Sequence, residues 1–295
     1  MTDLPQSSDA DRLIDLHSHT IASDGSLRPE ELVDLAARTG LAALAITDHD
    51  TFAGYDEAFP FARRAGLDLV RGIELNSRLL LARGELRFLH LLAYWPSAEP
   101  SPDFHAWLEE ERQDRRNRNR RLAATLQARG IPITLEEVEA RGRSLAGRVH
   151  FARLLVEKGY ARDHDDAFRR FLGEHAPTYV ERESHSTEDA IAKIRAGGGV
   201  PAIAHPVRLS LDREQERAVL VRLKDAGLLG LEIYHSEHPP EIQAHYRQLA
   251  EDLELLPTGG SDFHGAPKPE VRLGTGSHGN LRVPMAFLDA MRQRA

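Results

Sequence analysis

The sequence predicts an α/β fold whose strands deliver polar residues to one rim, and three observations carry that prediction. Apolar runs of strand length alternate with amphipathic helical stretches over most of the chain. The run "LAALAI" is apolar without alternation, as a strand covered on both faces requires. Run after run then ends in histidine, aspartate or glutamate rather than in a plain turn. Strand, helix, strand, helix, strand in succession argues a largely parallel sheet.

The elements follow in order. "RLIDLHSHT" reads as a first strand ending at His17 and His19. "LRPEELVDLAARTG" reads as a helix, with Pro29 near its start, Gly40 past its end and an inner stripe of Leu32, Leu35 and Ala36. "LAALAITDHD" is a second strand ending in Asp48, His49 and Asp50, and "AGYDEAFPFARRAG" a second helix closed by Gly66. "LDLVRGIELNS" is a third strand ending in Glu74, and "RFLHLLAYW" a fourth carrying His90.

Helices dominate from residue 100 to residue 183. "DFHAWLEEERQDRRNRNRRLAATLQARG" is one long charged helix, and "TLEEVEARG" is a short one with the Thr134–Glu137 spacing of a capping box. "RVHFARLLVEKG", with a stripe of Val149, Ala152, Leu155 and Val156, and "DHDDAFRRFLG" follow. Residues 100–183 therefore read as a helical insertion in a domain made of 1–99 and 184–295. Sheet rhythm returns with the helix "STEDAIAKIRAGGG", capped by Ser186 or Thr187, and the strand "VPAIAHP", ending at His205. Next come the helix "QERAVLVRLKDAG", the strand "LLGLEIYHSEH" with Glu232 and His235, and the helix "PEIQAHYRQLAEDL". The strand "ELLPTGGSDFHG" runs into Asp262 and His264, and "VPMAFLDAMRQR" reads as a closing helix.

The 295 residues suffice for one large domain or a core with a smaller one, and 41% hydrophobic content supports a core. A net charge of −8 argues against a surface built wholly for nucleic acid and leaves room for a local phosphate-binding patch. No cysteine is present, which excludes disulfides, thiolate metal sites, iron–sulfur clusters and cysteine nucleophiles. "MTDLPQSSDADR" has neither a basic leader nor an apolar signal core, and no apolar run reaches the length of a membrane span. The expectation is a cytoplasmic protein with no membrane partner and no DNA-binding motif.

In a barrel-like α/β fold the strand ends share a rim, so residues far apart in sequence converge there. His17 and His19 are two apart, and alternate side chains of a strand point the same way, toward one metal ion. Imidazole with carboxylate suits zinc, manganese or iron. The set of His17, His19, His49, His90, His205 and His264 with Asp24, Asp48, Asp262 and Glu74 exceeds what one ion takes. It implies two or three ions sharing a carboxylate, and two metals about 3.5–4 Å apart are the usual device for hydrolysing phosphate esters. No single member carries this reading. Asp48 alone would cap a helix, His90 alone would be a polar residue in a sheet, and Asp24-Gly25 alone is a turn. The set carries it.

Six motifs then fall in one order: "DLHSHT…SDG" at 15–25, "ITDHD" at 46–50, "GIELN" at 72–76, "HLLAY" at 90–94, "AIAHP" at 202–206 and "GGSDFHG" at 259–265. On these the chain resembles the PHP family of phosphoesterases, the polymerase-and-histidinol-phosphatase family. Within it the chain looks most like the subgroup of nucleoside 3′,5′-bisphosphate phosphatases and 5′→3′ exoribonucleases of the RNase AM type. The resemblance implies a distorted (β/α)₇ barrel of PHP type with a helical lid, and a centre of two or three divalent ions, manganese ahead of zinc or iron. It puts His17, His19, Glu74 and Asp262 on the first ion. Glu74 bridges to a second, completed by His90 and His205, and Asp24, His49 and His264 hold the third.

Asp48 and His235 are the expected catalytic residues outside the metal set, with Glu232 orienting groups from behind and His238 left unassigned. In the insertion, Arg148 lies near a helix start, where a cation opposes the helix dipole and a counter-anion would offset it. The resemblance points Arg148 at the substrate's 5′-phosphate, with His150, Arg162 and Arg170 as further substrate-binding candidates. "RRNRNRR" at 115–121, next to Glu109, Glu110 and Glu111, reads as a solvated helix face. The expected reaction is removal of the 3′-phosphate from nucleoside 3′,5′-bisphosphates. The alternative is 5′→3′ trimming of short 5′-phosphorylated RNA, and a histidinol phosphatase or other small phosphomonoesterase stands behind both. A non-catalytic accessory domain, as in some polymerases, would show lost ligands, and none is lost here.

Overall fold

The computed structural model describes residues 12–142, 146–173, 175–180 and 185–295. The chain divides into two compact units, Met1–His105 with His185–Ala295, and Ala106–Ser184.

The first unit is an α/β barrel. Its strands are β1 (Leu13–Asp15), β2 (Ala43–Ile46), β3 (Asp68–Leu80), β4 (Leu86–Trp95), β5 (Val200–Ile203), β6 (Gly230–Tyr234), β7 (Leu256–Gly259) and, after a small β8–β9 hairpin (Val271–Arg272, Gly276–Ser277), β10 (Val283–Pro284). They form one eight-stranded sheet in the order β10-β1-β2-β3-β4-β5-β6-β7. The sheet nearly closes on itself: Ser18 bridges Phe263 in parallel, and Leu16 N–H donates to Gly259 O at 3.1 Å. Gly260 makes the seam possible, because a Cβ there would lie 2.2 Å from the His17 nitrogen.

Inside, Ile14, Leu16, Ala45, Val70, Leu92, Tyr94, Val200, Ala202 and Leu256 form one cluster. Outside, α1 (Pro29–Thr39) and α2 (Ala53–Ala65) pack Leu32, Val33, Ala36, Tyr55, Ala58 and Ala62 against Leu44 and Ile46. Val33, not Leu35, completes the buried stripe of α1. The helices α7 (Thr187–Ala196), α8 (Arg213–Asp225), α9 (Pro240–Asp252) and α10 (Ala286–Arg294) complete the layer, and Ser186 caps α7 by accepting from Asp189 N–H.

The expected barrel is present, but its sheet is mixed. β4 runs antiparallel to β3 and β5, and β10 antiparallel to β1. The reason is chain length: only Leu81–Glu85 joins β3 to β4, and a parallel crossover needs about a dozen residues or more. Glu74 and His90 consequently sit inside strands of 13 and 10 residues rather than at strand ends. Beyond them β3 and β4 continue as a two-stranded arm.

The second unit is helical: the bulk of α3 (Pro102–Gln127), then α4 (Leu135–Gly142), α5 (Arg148–Glu157) and α6 (His164–Ala167), which runs into a π-helical turn at Phe168–Leu172. Leu122, Leu126, Ile133, Val138, Phe151, Leu154 and Leu155 form its core. The capping box is made: Thr134 N–H donates to Glu137 at 3.0 Å and Glu137 N–H to Thr134 Oγ1 at 3.2 Å. The α5 stripe is corrected. Phe151 and Leu154 join Ala152 and Leu155, while Val149 is 37% exposed, because the bulk of Phe151 sets the buried face. Among the described residues no helix is long and apolar enough to cross a membrane.

Candidate metal centre

Strand ends and the inner face of β3–β4 bring six histidines and three carboxylates together at one rim. Glu74 is the hub. Its Oε2 lies 3.5 Å from His17 Nε2, 3.3 Å from His19 Nε2 and 3.2 Å from His49 Nδ1. Its Oε1 lies 2.7 Å from His90 Nδ1 and 2.9 Å from His205 Nε2. The two oxygens of one carboxylate thus face two sets of imidazoles. Asp262 Oδ1 adds to the first set, 3.5 Å from His17 Nε2 and 3.4 Å from His19 Nε2. Asp24 gathers a third: Oδ1 lies 3.3 Å from His264 Nε2 and Oδ2 lies 3.7 Å from His49 Nε2. Four groups have ligand atoms close enough to share an ion: His19, Asp24, His49 and His264; His17, His19 and Glu74; His49, Glu74 and His90; and His17, His235 and Asp262.

The donor set fits divalent ions on an observation of its own. His17 Nε2, His19 Nε2 and His49 Nδ1 are buried with no hydrogen-bond partner. Buried polar atoms normally find one, and a nitrogen lone pair facing carboxylates is what a metal ion satisfies. The ring orientations are fixed from behind. Glu232 accepts from His17 Nδ1 at 2.9 Å and from His205 N–H at 2.5 Å, and Asp262 O accepts from His264 Nδ1 at 2.8 Å. The two Nδ1 bonds leave the Nε2 atoms of His17 and His264 for a ligand, and the backbone bond fixes where His205 leaves its strand.

Electrostatics agree. Burial opposes charge on Glu74 and Asp262, but His49, His90 and His17 around Glu74, and His17 and His19 around Asp262, hold both carboxyls well below the usual range. Burial drives His49 down to about 3 and His205 to about 4, so both are neutral imidazoles at neutral pH, the ligating form. Burial also opposes charge on His19, yet Asp262, Glu74 and Asp24 push it up to about 9. The field that draws a proton there draws a metal cation equally.

Asp48 is fully buried and takes no place among the ligand atoms. It accepts from Thr20 N–H at 2.8 Å, Thr20 Oγ1 at 2.7 Å and Ser23 Oγ at 2.6 Å, which holds the loop carrying Asp24 against the end of β2. His235 is buried beside Asp262, its Nε2 3.3 Å from Oδ2. Its Nδ1 accepts from Glu237 N–H at 3.1 Å, so the ring proton of neutral His235 resides on Nε2. That pattern sets it apart from His17 and His264, which make their hydrogen bonds through Nδ1 to Glu232 and to Asp262 O.

Sequence reasoning missed two cations. Lys268 Nζ lies 2.6 Å and an Arg208 nitrogen 3.0 Å from Asp262 Oδ2, and both side chains are partly open to solvent. Glu237 also pairs with Arg208. The available signal was position: each follows a ligand-bearing strand end by a few residues, in "HPVR" and "HGAPK".

Arg148, His150, Arg162 and Arg170 have partners within the second unit. Arg148 donates to Leu172 O at 3.4 Å and lies 6.0 Å from the Phe168 ring. His150, 3% exposed, accepts the Gly147 N–H at 3.0 Å and so caps α5. Arg162 and Arg170 pair with Asp166 at 3.4 and 3.2 Å.

A family model described as PHP domain matches residues 15–181. A 5′-3′ exoribonuclease of Haemophilus influenzae is 33% identical over 250 residues, 85% of this chain and 89% of that one. A 3′,5′-nucleoside bisphosphate phosphatase of Chromobacterium violaceum is 33% identical over 254 residues, 85% of this chain and 87% of that one. A solved structure from Chromobacterium violaceum, described as an amidohydrolase with bound sulfate and no metal, matches with a TM-score of 0.76 at 31% identity, covering 94% of this chain and 96% of that one.

Proposed function

The chain belongs to the PHP-domain family of metal-dependent phosphoesterases, and from that premise we propose that it is a 5′→3′ exoribonuclease on short 5′-phosphorylated RNA, with nucleoside 3′,5′-bisphosphates as the shortest members of the same substrate series. At the coarser level it is a metal-dependent hydrolase acting on nucleotide or RNA phosphate groups. The observation that carries the reading is the pair of faces on Glu74, with buried imidazole nitrogens that lack partners converging on it. Sequence reasoning put the bisphosphate first. Relatives of both kinds are equally similar over equal shares of the chain, and one bond serves both: the 3′ ester of a 5′-phosphorylated nucleoside.

The ligand assignment rests on the chemistry of the donors. His17, His19, Glu74 and Asp262 would hold one ion, Glu74, His90 and His205 a second, and Asp24, His49 and His264 a third, with manganese, zinc or iron all compatible with nitrogen and oxygen donors. Divalent ions bound there supply positive charge to phosphoryl oxygens and lower the pKa of water.

The protein's own groups do the rest. Glu232 keeps His17 in the tautomer that presents Nε2. Asp48, through Thr20 and Ser23, keeps the Asp24 loop in place. Arg208 and Lys268 stand ready to take phosphoryl oxygens, where a charged fork and a point charge complement one another. Water oxygen bonds to phosphorus, the phosphorus–3′-oxygen bond breaks, and the proton that the water gives up ends on the 3′ oxygen. His235, with its N–H on Nε2 at the site, is the hydrogen-bond donor we assign to that oxygen as it leaves.

The test uses 5′-phosphorylated and 5′-hydroxyl RNA oligomers and adenosine 3′,5′-bisphosphate. The expected products are nucleoside 5′-monophosphates released from the 5′ end, and AMP with phosphate from the bisphosphate, with the 5′-hydroxyl oligomer a poor substrate. Loss of the 5′-phosphate from the bisphosphate, or release of nucleotides from the 3′ end, overturns the reading.

A further inference from the structure

Arg208 lies in a short helical turn, Pro206–Leu209, that directly follows His205. Its guanidinium is held on two sides. Toward the barrel, Nη2 donates to Asp262 Oδ2 at 3.0 Å. Toward solvent, the same Nη2 donates to Glu237 Oε1 at 2.5 Å, and Nε donates to Glu237 Oε2 at 3.0 Å. Glu237 thus covers the Nε–Nη2 edge with both of its carboxylate oxygens. A phosphoryl group takes a guanidinium in the same way, through two oxygens on one edge. The anion on that edge belongs to the protein itself.

The two holds differ in what releases them. The Asp262 side chain is 3% exposed and also accepts from Lys268 Nζ at 2.6 Å, so that contact belongs to a buried network. The Glu237 side chain is 48% exposed and that of Arg208 37%, so water can take both groups when they part. An ion pair so open adds little stability, and a phosphate dianion displaces a single carboxylate from it readily. The backbone need not move for this. Glu237 N–H donates to His235 Nδ1 at 3.1 Å, Ser236 Oγ donates to Ser261 O at 2.5 Å, and Asn280 Nδ2 donates to Ser236 O at 2.9 Å, which ties the loop after β6 to the barrel. A rotation of the Glu237 side chain alone opens the edge.

We propose that Glu237 is a placeholder for phosphate: its carboxylate occupies Arg208 until a phosphoryl group takes the same edge, and it thereby sets how tightly the site holds an anionic substrate. The proposal rests on the reading of Arg208 as a phosphoryl contact and goes beyond it, since it makes an acidic side chain a determinant of affinity for anions. The apparent affinity is the intrinsic one reduced by the fraction of molecules in which the edge is open.

The experiment is calorimetric titration of inorganic phosphate into the full chain at constant salt, in wild type, Glu237→Gln, Arg208→Gln and the double variant, with metal content matched by elemental analysis. Glu237→Gln should tighten phosphate binding about two- to fivefold, the worth of one exposed ion pair. In the Arg208→Gln background the same substitution should change little, because the edge for which Glu237 competes is gone. The difference is the coupling of a double-mutant cycle. Equal tightening in both backgrounds overturns the proposal, since Glu237 then acts only as a distant negative charge. Unchanged or weaker binding in Glu237→Gln overturns it as well, and weaker binding would make Glu237 a group that positions Arg208. A protein that shows the coupled tightening but cleaves neither RNA nor the bisphosphate supports the placeholder and sinks the exoribonuclease reading. An active enzyme without the coupling does the reverse.

Discussion

Asp166 in the helical unit and Glu74 in the barrel are both carboxylates ringed by basic side chains, and the rings are completed differently. Asp166 accepts from Arg162 N–H at 3.1 Å and pairs with the guanidinium groups of Arg162, Arg169 and Arg170, each a permanent cation with protons to give. Glu74 faces imidazoles, and the nearby nitrogens of His17, His19 and His49 have no hydrogen-bond partner. A hub saturated by its own chain stiffens a fold. A hub of ligating atoms left unsaturated and buried is costly on its own terms, and persists where a guest completes it.

The sharpest way to break this contrast is Asp262→Ala. It should lower kcat/KM by on the order of a thousandfold, about 4 kcal/mol of transition-state stabilisation, with less metal by elemental analysis and an unchanged circular dichroism spectrum. Retention of full activity without metal would remove the basis for calling the barrel cluster a metal centre. Glu232→Gln comes next. It leaves every ligand in place but weakens the bond that fixes the His17 tautomer, and should cost about 10- to 100-fold in metal affinity or activity. Lys268→Ala should lower kcat/KM by roughly ten- to a hundredfold, the worth of one charged contact. No change on any phosphate ester would return Lys268 to a local ion pair with Asp262.

Chelation sharpens the comparison through stability. A ligand at a hundredfold excess over its Kd adds about 2.7 kcal/mol, so chelator should lower the melting temperature and added manganese, zinc or iron should restore it. The Asp166 hub should show the smallest effect and a different signature. Arg162 N–H first, then the Arg162 and Arg170 side chains, hold its carboxyl below the usual range against burial. A depressed carboxyl adds stability above its unfolded pKa of about 3.9 and loses it as pH falls through the folded value. Asp166→Asn should therefore melt below wild type at neutral pH, with the gap closing in acid, and with kcat and metal content unchanged. A loss of bound metal in this variant would dissolve the distinction between the two hubs.

The candidate ligands were legible in the sequence where local rules decide. His17 and His19 are two apart on an extended segment, so periodicity aims them together, and His205, Asp262 and His264 follow apolar runs, though positive φ at His205 and Asp262 turns them in a way no alternation predicts. Glu74 and His90 were found for a partly wrong reason. They were read as strand ends, yet they meet because β4 folds back on β3, a pairing that alternation cannot reveal. The roles of Arg208 and Lys268 were invisible because a basic residue in a loop looks the same whether it faces water or Asp262. In α5, a stripe drawn through Val149 missed Phe151, since spacing does not say which of two adjacent faces holds the larger side chain.

The seam at Gly260 has a temporal side. Asp15 accepts from Ser261 N–H across 246 positions of sequence, and Asp262 N–H donates to His17 O beside it. Contacts so distant form late in folding, because loop closure must come first. A chain still on the ribosome and shorter than about 265 residues holds the first imidazoles but not Asp262 or His264. The candidate metal centre therefore assembles only after those C-terminal ligands have emerged, and a partial product lacking Asp262 and His264 has no complete set of donors.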